Sequence, residues 1–175
     1  VQCVGSRDDS KGYPYCSRIC CMYTAKHAML YKHRVYDGQA YVFYMDIRAM
    51  GKDYETYYER AKSKYGIRYI RSMGSTIRDL KKSRQLLITY GQDNGKMKDE
   101  TFDMVVLSIG LTPSSSARSL SQRIGIDIDR FGFCKTSEFQ PNVSSRSGIY
   151  VAGVFDTPMD IPESVMSASS AAFLA

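Results

Sequence analysis

Four of the five cysteines in this chain fall within its first 21 residues, at Cys3, Cys16, Cys20 and Cys21; the fifth is Cys134. A C-x12-C-x3-C-C run this dense constrains the fold, because thiolates gathered in one place suit a soft metal centre. Four is the number taken by a structural zinc or by an iron–sulfur cluster. Cys16 and Cys20 are four apart and share a face if both lie on a helix or its first turn, whereas Cys21 is turned by about 100° from Cys20. Bringing both neighbours onto one zinc ion strains a helical pair, while a cubane offers a separate iron to each. The spacing favours the cluster. Zinc, a redox dithiol (Cys16 with Cys20, or Cys20 with Cys21) and plain apolar packing are the alternatives. Cys134, beside Gly132 and Phe133, is assigned to packing.

An odd number of cysteines, four of them clustered, fits a reducing compartment better than a disulfide-stapled secreted fold. The sequence has no apolar run of about 18 residues and no basic segment followed by an apolar stretch at its N-terminus, so a cytoplasmic protein without a membrane span is expected. At 175 residues, 43% hydrophobic and 24% charged, it has the composition of a globular domain, or of one domain and part of another. A net charge of +6 invites a nucleic-acid reading, but basic residues are interspersed with acids, and no nucleic-acid partner is expected. The exception is residues 10–36, which hold no carboxylate but contain Lys11, Arg18, Lys26, Lys32 and Arg34. A positive field there would lower thiol pKa values and stabilise an anionic cluster or a reduced anionic cofactor. A solvated basic helix face explains the same charges.

Periodicity and turn signals give a strand at 1–4, a loop at 5–15, a helix at 17–34, a strand at 41–45, a helix at 54–65 and a strand at 67–70. Shorter strands around 76–78 and 85–90, the turn Asp93-Asn94-Gly95 and a strand ending near Thr101 read as an antiparallel meander. The apolar run 104–109, closed by Gly110, reads as a buried parallel strand. A linker at 112–116, a strand at 149–152 ending at Gly153 and a helix at 164–175 complete the chain, and both ends look cut. This order is α/β: a Rossmann-like nucleotide-binding half-domain of a two-dinucleotide-fold flavoprotein with a small β-meander, followed by the C-terminal strand and helix of a second domain. Gly5-Ser6-Arg7 stands where G-x-G-x-x-G would cradle a pyrophosphate, so NAD binding is disfavoured and a cluster in its place is favoured.

The segments VQCVGSRD, YCSRICCMYTAKHAMLYK, YVFYMDIRAMGK, FDMVVLSIGLTP and GIYVAGVFDTPMDIPESVMSASSAA together resemble the family of heterodisulfide reductase A subunits, FAD and iron–sulfur proteins of methanogens and related anaerobes. The resemblance implies a thioredoxin reductase-like arrangement. Residues 1–108 would be a cluster-bearing domain in place of the NAD(P) domain, and 109–175 the C-terminal part of the FAD-binding domain. It implies that Cys3, Cys16, Cys20 and Cys21 ligate a 4Fe-4S cluster and that Lys26 lies near the reactive edge of FAD, where a cation stabilises a flavin anion. It places Gly110 and Thr112 at an FAD-side connection, and Gly153, Val154 and Asp156 near the ribityl chain, although the expected Asp directly after the glycine is Val154. Ile161, Pro162, Glu163 and Ser164 would bring backbone amides to the flavin ring.

The implied function is electron transfer between flavin and cluster in flavin-based electron bifurcation. The implied partners are other heterodisulfide reductase-type subunits, a hydrogenase or formate dehydrogenase module, and ferredoxin. An NAD(P)H-dependent disulfide reductase and a zinc-stabilised interaction module are the other readings. The first βαβ unit carrying the FAD glycine fingerprint is not in this sequence, so this stretch alone is expected to bind FAD poorly and to be inactive by itself.

Overall fold

The first helix, α1 (Cys20–Arg34), starts three residues later than its sequence suggests. Arg18 has a left-handed backbone (φ 63°) and the Ile19 N–H donates to the Ser17 carbonyl at 2.7 Å, so a tight turn precedes Cys20. The computed structural model describes residues 1–175 and divides into two units, one of Val1–Val4 and Cys20–Ile109, the other of Gly5–Ile19 and Gly110–Ala175.

In the first unit, β1 (Tyr41–Tyr44) and β2 (Arg68–Arg71) pair in parallel, with Tyr41 opposite Arg68 and Tyr44 opposite Arg71. Their crossover is α2 (Tyr54–Ser63). Gly66 takes a left-handed turn (φ 63°) that ends α2 and sends the chain back into the sheet, a conformation that costs other residues about 1 kcal/mol. Ala25 and Met29 of α1, Val42, Ala61 of α2 and Ile67 form one core. Burying each of the larger aliphatic side chains contributes about 2 kcal/mol.

Three antiparallel strands follow, β3 (Gly74–Leu80), β4 (Gln85–Gly91) and β5 (Met97–Phe102), with β4 in the middle. The period of two along β4 turns Ile88 and Tyr90 inward onto Phe43, with Ile70 and Phe102 against them. Tyr90 and Phe102 both meet the Phe43 ring edge-on, at 4.9 and 5.8 Å. The Asn94-Gly95 turn between β4 and β5 is where its residues place it.

The run 104–109 is not a buried strand. Met104 is 74% exposed, and Val106, Leu107 and Ile109 are also open to solvent, with Ser108 the buried member. The segment runs alongside Val1–Val4: Ser108 N–H donates to the Val1 carbonyl, Val4 N–H to the Ser108 carbonyl, and Val4 forms a parallel bridge with Ile109. An apolar run signals a strand buried on both faces only where something covers the second face, and within this unit nothing does.

In the second unit, α3 (Ala117–Ile124) follows directly on the 112–116 linker, at a place where the sequence predicts no element. Gly125 closes it in a left-handed conformation. Ile126, Cys134 and Val151 form the core here, which puts Cys134 among apolar neighbours. Residues 149–152 form only a bridge between Val143 and Tyr150 rather than a strand, and Gly153–Phe155 is a 3-10 turn. The last helix, α4 (Ile161–Leu174), begins earlier than 164 because Asp160 caps it: its carboxylate accepts the Glu163 N–H at 2.8 Å, and the Glu163 carboxylate accepts the Asp160 N–H at 3.0 Å. No helix is long and apolar enough to cross a membrane.

Candidate metal centre

Three of the four clustered cysteines belong to the first unit, and all three are buried: Cys3 in the opening segment, Cys20 and Cys21 on the first turn of α1. None of the five cysteines is in a disulfide. Cys20 lies between the other two, and hydrogen bonding with Cys21 and Cys3 holds its thiol well below the ordinary range. The same interaction with Cys20, together with burial, pushes Cys21 up. Cys21 accepts the Arg48 N–H at 3.4 Å and its thiol faces the Gln2 side-chain carbonyl at 3.6 Å and the Asp46 carbonyl at 3.8 Å. Cys3 holds a left-handed backbone (φ 58°), an arrangement that costs a residue with a side chain about 1 kcal/mol and that collects at functional sites.

These thiols fit a multi-iron cluster in their chemistry: buried sulfur donors, mutually adjacent, with a backbone N–H on one of them. No three His, Cys, Asp or Glu side chains in the chain are gathered around the position of a single metal ion. Tyr23 and Thr24, next along α1, tie this end of the helix to the run 104–109, through Tyr23 Oη to the Ile109 carbonyl at 2.7 Å and Thr24 to Ser108 at 2.7 Å. Burial, and after it the neighbouring Cys20 charge, pushes the Tyr23 phenol up to about 12. Lys26 lies on the exposed surface of α1.

The fourth cysteine, Cys16, is not on the helix. It is half-buried in the loop Gly5–Ile19 of the second unit, and its sulfur accepts the Arg18 N–H at 3.3 Å. A helical face shared with Cys20 is therefore ruled out, because the left-handed Arg18 separates them. The loop is wired by two fully buried serines. Ser6 Oγ donates to the Tyr15 carbonyl and accepts the Ser17 N–H; Ser17 Oγ donates to Ser6 Oγ and accepts the Leu111 N–H at 2.8 Å. Gly110 is glycine for this reason: a Cβ there would stand 2.5 Å from Ser17 Oγ. Thr112, two residues on, is exposed.

The other residues singled out for FAD are also in the second unit. Gly153 is left-handed (φ 69°) and its N–H donates to Ser167 Oγ at 3.2 Å; Val154 is half-buried in the same 3-10 turn. Of the four residues 161–164, Ile161 alone has an N–H outside these contacts. Pro162 has none, Glu163 N–H goes to Asp160 Oδ1, and Ser164 N–H goes to the Asp160 carbonyl. The Glu163 carboxylate is paired with the Arg18 guanidinium as well as with the cap, which ties the N-terminus of α4 to the cysteine loop.

Asp156 accepts from Thr136 Oγ1 at 2.8 Å, yet burial raises its carboxyl above the ordinary value of 3.8. A raised folded-state pKa means that ionised Asp156 opposes folding: the opposition is absent below the unfolded value and complete above the folded one. Asp156→Asn is thus expected to raise the thermal midpoint at pH 7, with a gain that shrinks as the buffer is taken down towards pH 4. A gain independent of pH would assign it to packing instead.

Sequence reasoning passed over Asn142, which is buried and donates from Nδ2 to the Val151 carbonyl (2.8 Å) and to Ser167 Oγ (2.9 Å) and carbonyl (3.2 Å). It links α4 to the segment before Gly153. Its only signal in the sequence is a polar residue close to an apolar stretch. Asn142→Ala is expected to cost about 2 kcal/mol of stability, read from the urea midpoint, because acceptors that stay buried lose their donor.

No protein-family model matches the chain. Several curated proteins do. The A subunit of the H2:CoB-CoM heterodisulfide,ferredoxin reductase of Methanothermobacter marburgensis is 41% identical over 98% of this chain and 26% of its own length. The A subunit of the H2/formate:CoB-CoM heterodisulfide,ferredoxin reductase of Methanococcus maripaludis is 40% identical, and the iron-sulfur A subunit of the CoB-CoM heterodisulfide reductase of Methanocaldococcus jannaschii 39%, each over 98% of this chain and 27% of the relative. The chain therefore spans about a quarter of the length of these relatives. Among solved structures, LpdA from Mycobacterium tuberculosis superposes with a TM-score of 0.57 at 16% identity, over 88% of this chain and 31% of that one. That likeness shows the fold, α/β of the thioredoxin reductase-like, two-dinucleotide type. Along the quarter of that protein which it spans, the chain is a homologue of the heterodisulfide reductase A subunits, which are components of an oxidoreductase.

Proposed function

We propose that the chain is an electron-transfer segment of an FAD and 4Fe-4S oxidoreductase of the kind formed by heterodisulfide reductase A subunits, with Cys3, Cys16, Cys20 and Cys21 as cluster ligands. The observation that carries this reading is the set of buried, adjacent thiols Cys3, Cys20 and Cys21, with an Arg48 N–H on one sulfur. The fourth thiol comes from Cys16, four residues before Cys20 in sequence, where a backbone N–H again points at sulfur. A bound cluster supplies one-electron chemistry. The chain's own part is to present thiolates, place N–H donors on them and keep water away. Residues 1–108 act as the cluster-bearing domain, and 109–175 contribute to the FAD domain.

On the same reading, the Lys26 cation offsets negative charge on the flavin. Gly110 and Thr112, Gly153, Val154 and Asp156, and the start of α4 at Ile161, Pro162, Glu163 and Ser164 line the FAD side. Electron bifurcation, in a cytoplasmic complex with other heterodisulfide reductase-type subunits, a hydrogenase or formate dehydrogenase module and ferredoxin, is the whole-protein activity this segment serves. The names of the Methanothermobacter and Methanococcus relatives support those partners.

Anaerobic reconstitution of the full chain with iron and sulfide tests the proposal. About four irons and four sulfides per chain are expected, with broad thiolate-to-iron absorption. One zinc and no sulfide would overturn it.

A further inference from the structure

Gln2 is fully buried at the start of the first unit, where its backbone N–H donates to the Phe43 carbonyl at 3.0 Å and fixes it beside β1. Its side-chain carbonyl accepts from the Cys21 thiol at 3.6 Å, and its Nε2 is buried with no hydrogen-bond partner. A polar side chain between Val1 and Cys3 with both its donors idle is costly to keep in a core, and an apolar residue would pack there at no such cost. What Cys21 offers explains the arrangement. A thiol has a proton to give, so the amide turns its oxygen to it; a sulfur bound to iron has none and only accepts. Half a turn about the last side-chain bond exchanges Oε1 and Nε2 without moving another atom.

Resting on the cluster reading above, we propose that Gln2 is a positioning residue for the cluster, whose amide donates an N–H···S hydrogen bond to the ligating Cys21 sulfur beside the Arg48 N–H. In that state one of the two idle N–H groups gains a partner, so the Nε2 atom is no longer without a hydrogen bond, and the carbonyl oxygen that gives up its contact tolerates the loss better than an N–H would. A donor on the sulfur stabilises the more negative, reduced cluster and so raises its reduction potential. Gln2 tunes the potential and does not itself bind iron.

The test compares wild type, Gln2→Met and Gln2→Glu in the full chain after anaerobic reconstitution. Methionine has similar length and no donor; glutamate has the same shape and, when ionised, only acceptors. Iron and sulfide content is measured first. The midpoint potential is then found by titrating with dithionite, which delivers one electron per cluster, through mediators under electron paramagnetic resonance. Wild type and Gln2→Met are expected to load equal iron, with the Gln2→Met midpoint shifted to more negative values. Gln2→Glu should shift further or load less. Before reconstitution, Gln2→Met should melt no lower than wild type, since the removed amide had idle donors. Equal loading with coincident potentials overturns the role of Gln2 and leaves the cluster reading standing. A wild type that takes up no iron overturns the cluster reading, and this role with it. If Gln2→Met does not fold, Gln2→Glu against wild type decides the question on the same two measurements.

Discussion

Exchanging Cys20 for serine is expected to leave a folded chain that holds almost no iron. Cys20 is the first residue of α1, 2% exposed, and the thiol through which Cys3 and Cys21 meet. Serine matches its volume closely, so the helix and the Ala25, Met29 and Val42 core should persist. An alkoxide is a far poorer ligand for iron than a thiolate, and its proton is far harder to remove at neutral pH. Iron and sulfide are expected to fall from about four per chain to below about one, with the visible absorption, while the far-ultraviolet circular dichroism is unchanged. Cys134→Ala provides the contrast. Cys134 packs with Ile126 and Val151 in the second unit, and its loss should leave iron loading intact. If Cys20→Ser retained full iron while Cys134→Ala lost it, the assignment of the site would be wrong.

Gly110→Ala is expected to be the most destabilising single methyl group in the second unit, at about 3 kcal/mol by urea denaturation. The new Cβ would stand 2.5 Å from Ser17 Oγ and 3.0 Å from both the Gly5 carbonyl oxygen and Ser6 Cβ. None of these can step aside cheaply. Ser17 Oγ is committed to Ser6 and to the Leu111 N–H, and the Gly5 oxygen is backbone. Relief would come from shifting the loop that carries Cys16, so iron loading should fall together with stability. Gly148→Ala separates crowding from backbone preference. Gly148 is left-handed (φ 79°) with open space around its missing Cβ, and its cost should be only the conformational one, about 1 kcal/mol. Equal effects at the two positions would show that crowding at Gly110 is relieved for free.

The βαβ unit and the meander are legible in the sequence because their signals are local: the period of two in β4, Gly66 after α2, the Asn94-Gly95 turn. The boundary of α1 is not, since it depends on a left-handed Arg18, a conformation that no residue preference announces. The same residue removes the shared face that four-residue spacing would give Cys16 and Cys20 if both lay on a helix or its first turn. The run 104–109 misleads for the opposite reason. Its composition reports what the segment is suited to pack against, while the burial observed depends on what lies over it. The thiols themselves could be read from spacing, but the groups that surround them could not. Gln2, Ser6, Ser17 and Asn142 are single polar residues whose partners are distant in sequence or lie in loops, and only the folded chain shows that they are buried and what they hold.

The chain passes from one unit to the other at residues 4–5, 19–20 and 109–110, so neither unit is a continuous stretch. Joining 5–19 to 110–175 from an unfolded chain means closing a loop of roughly 90 residues, whose entropic cost grows only with the logarithm of its length but must be met before any contact between those two stretches is made. The first unit can meet it in advance. Its Val4–Ile109 bridge and the Tyr23 bond to Ile109 bring the two exits, Gly5 and Gly110, to neighbouring points. Once those ends are held, the loop left to close between Ser17 and Leu111 is short, so the serine-wired contacts form at a smaller entropic cost than from the open chain.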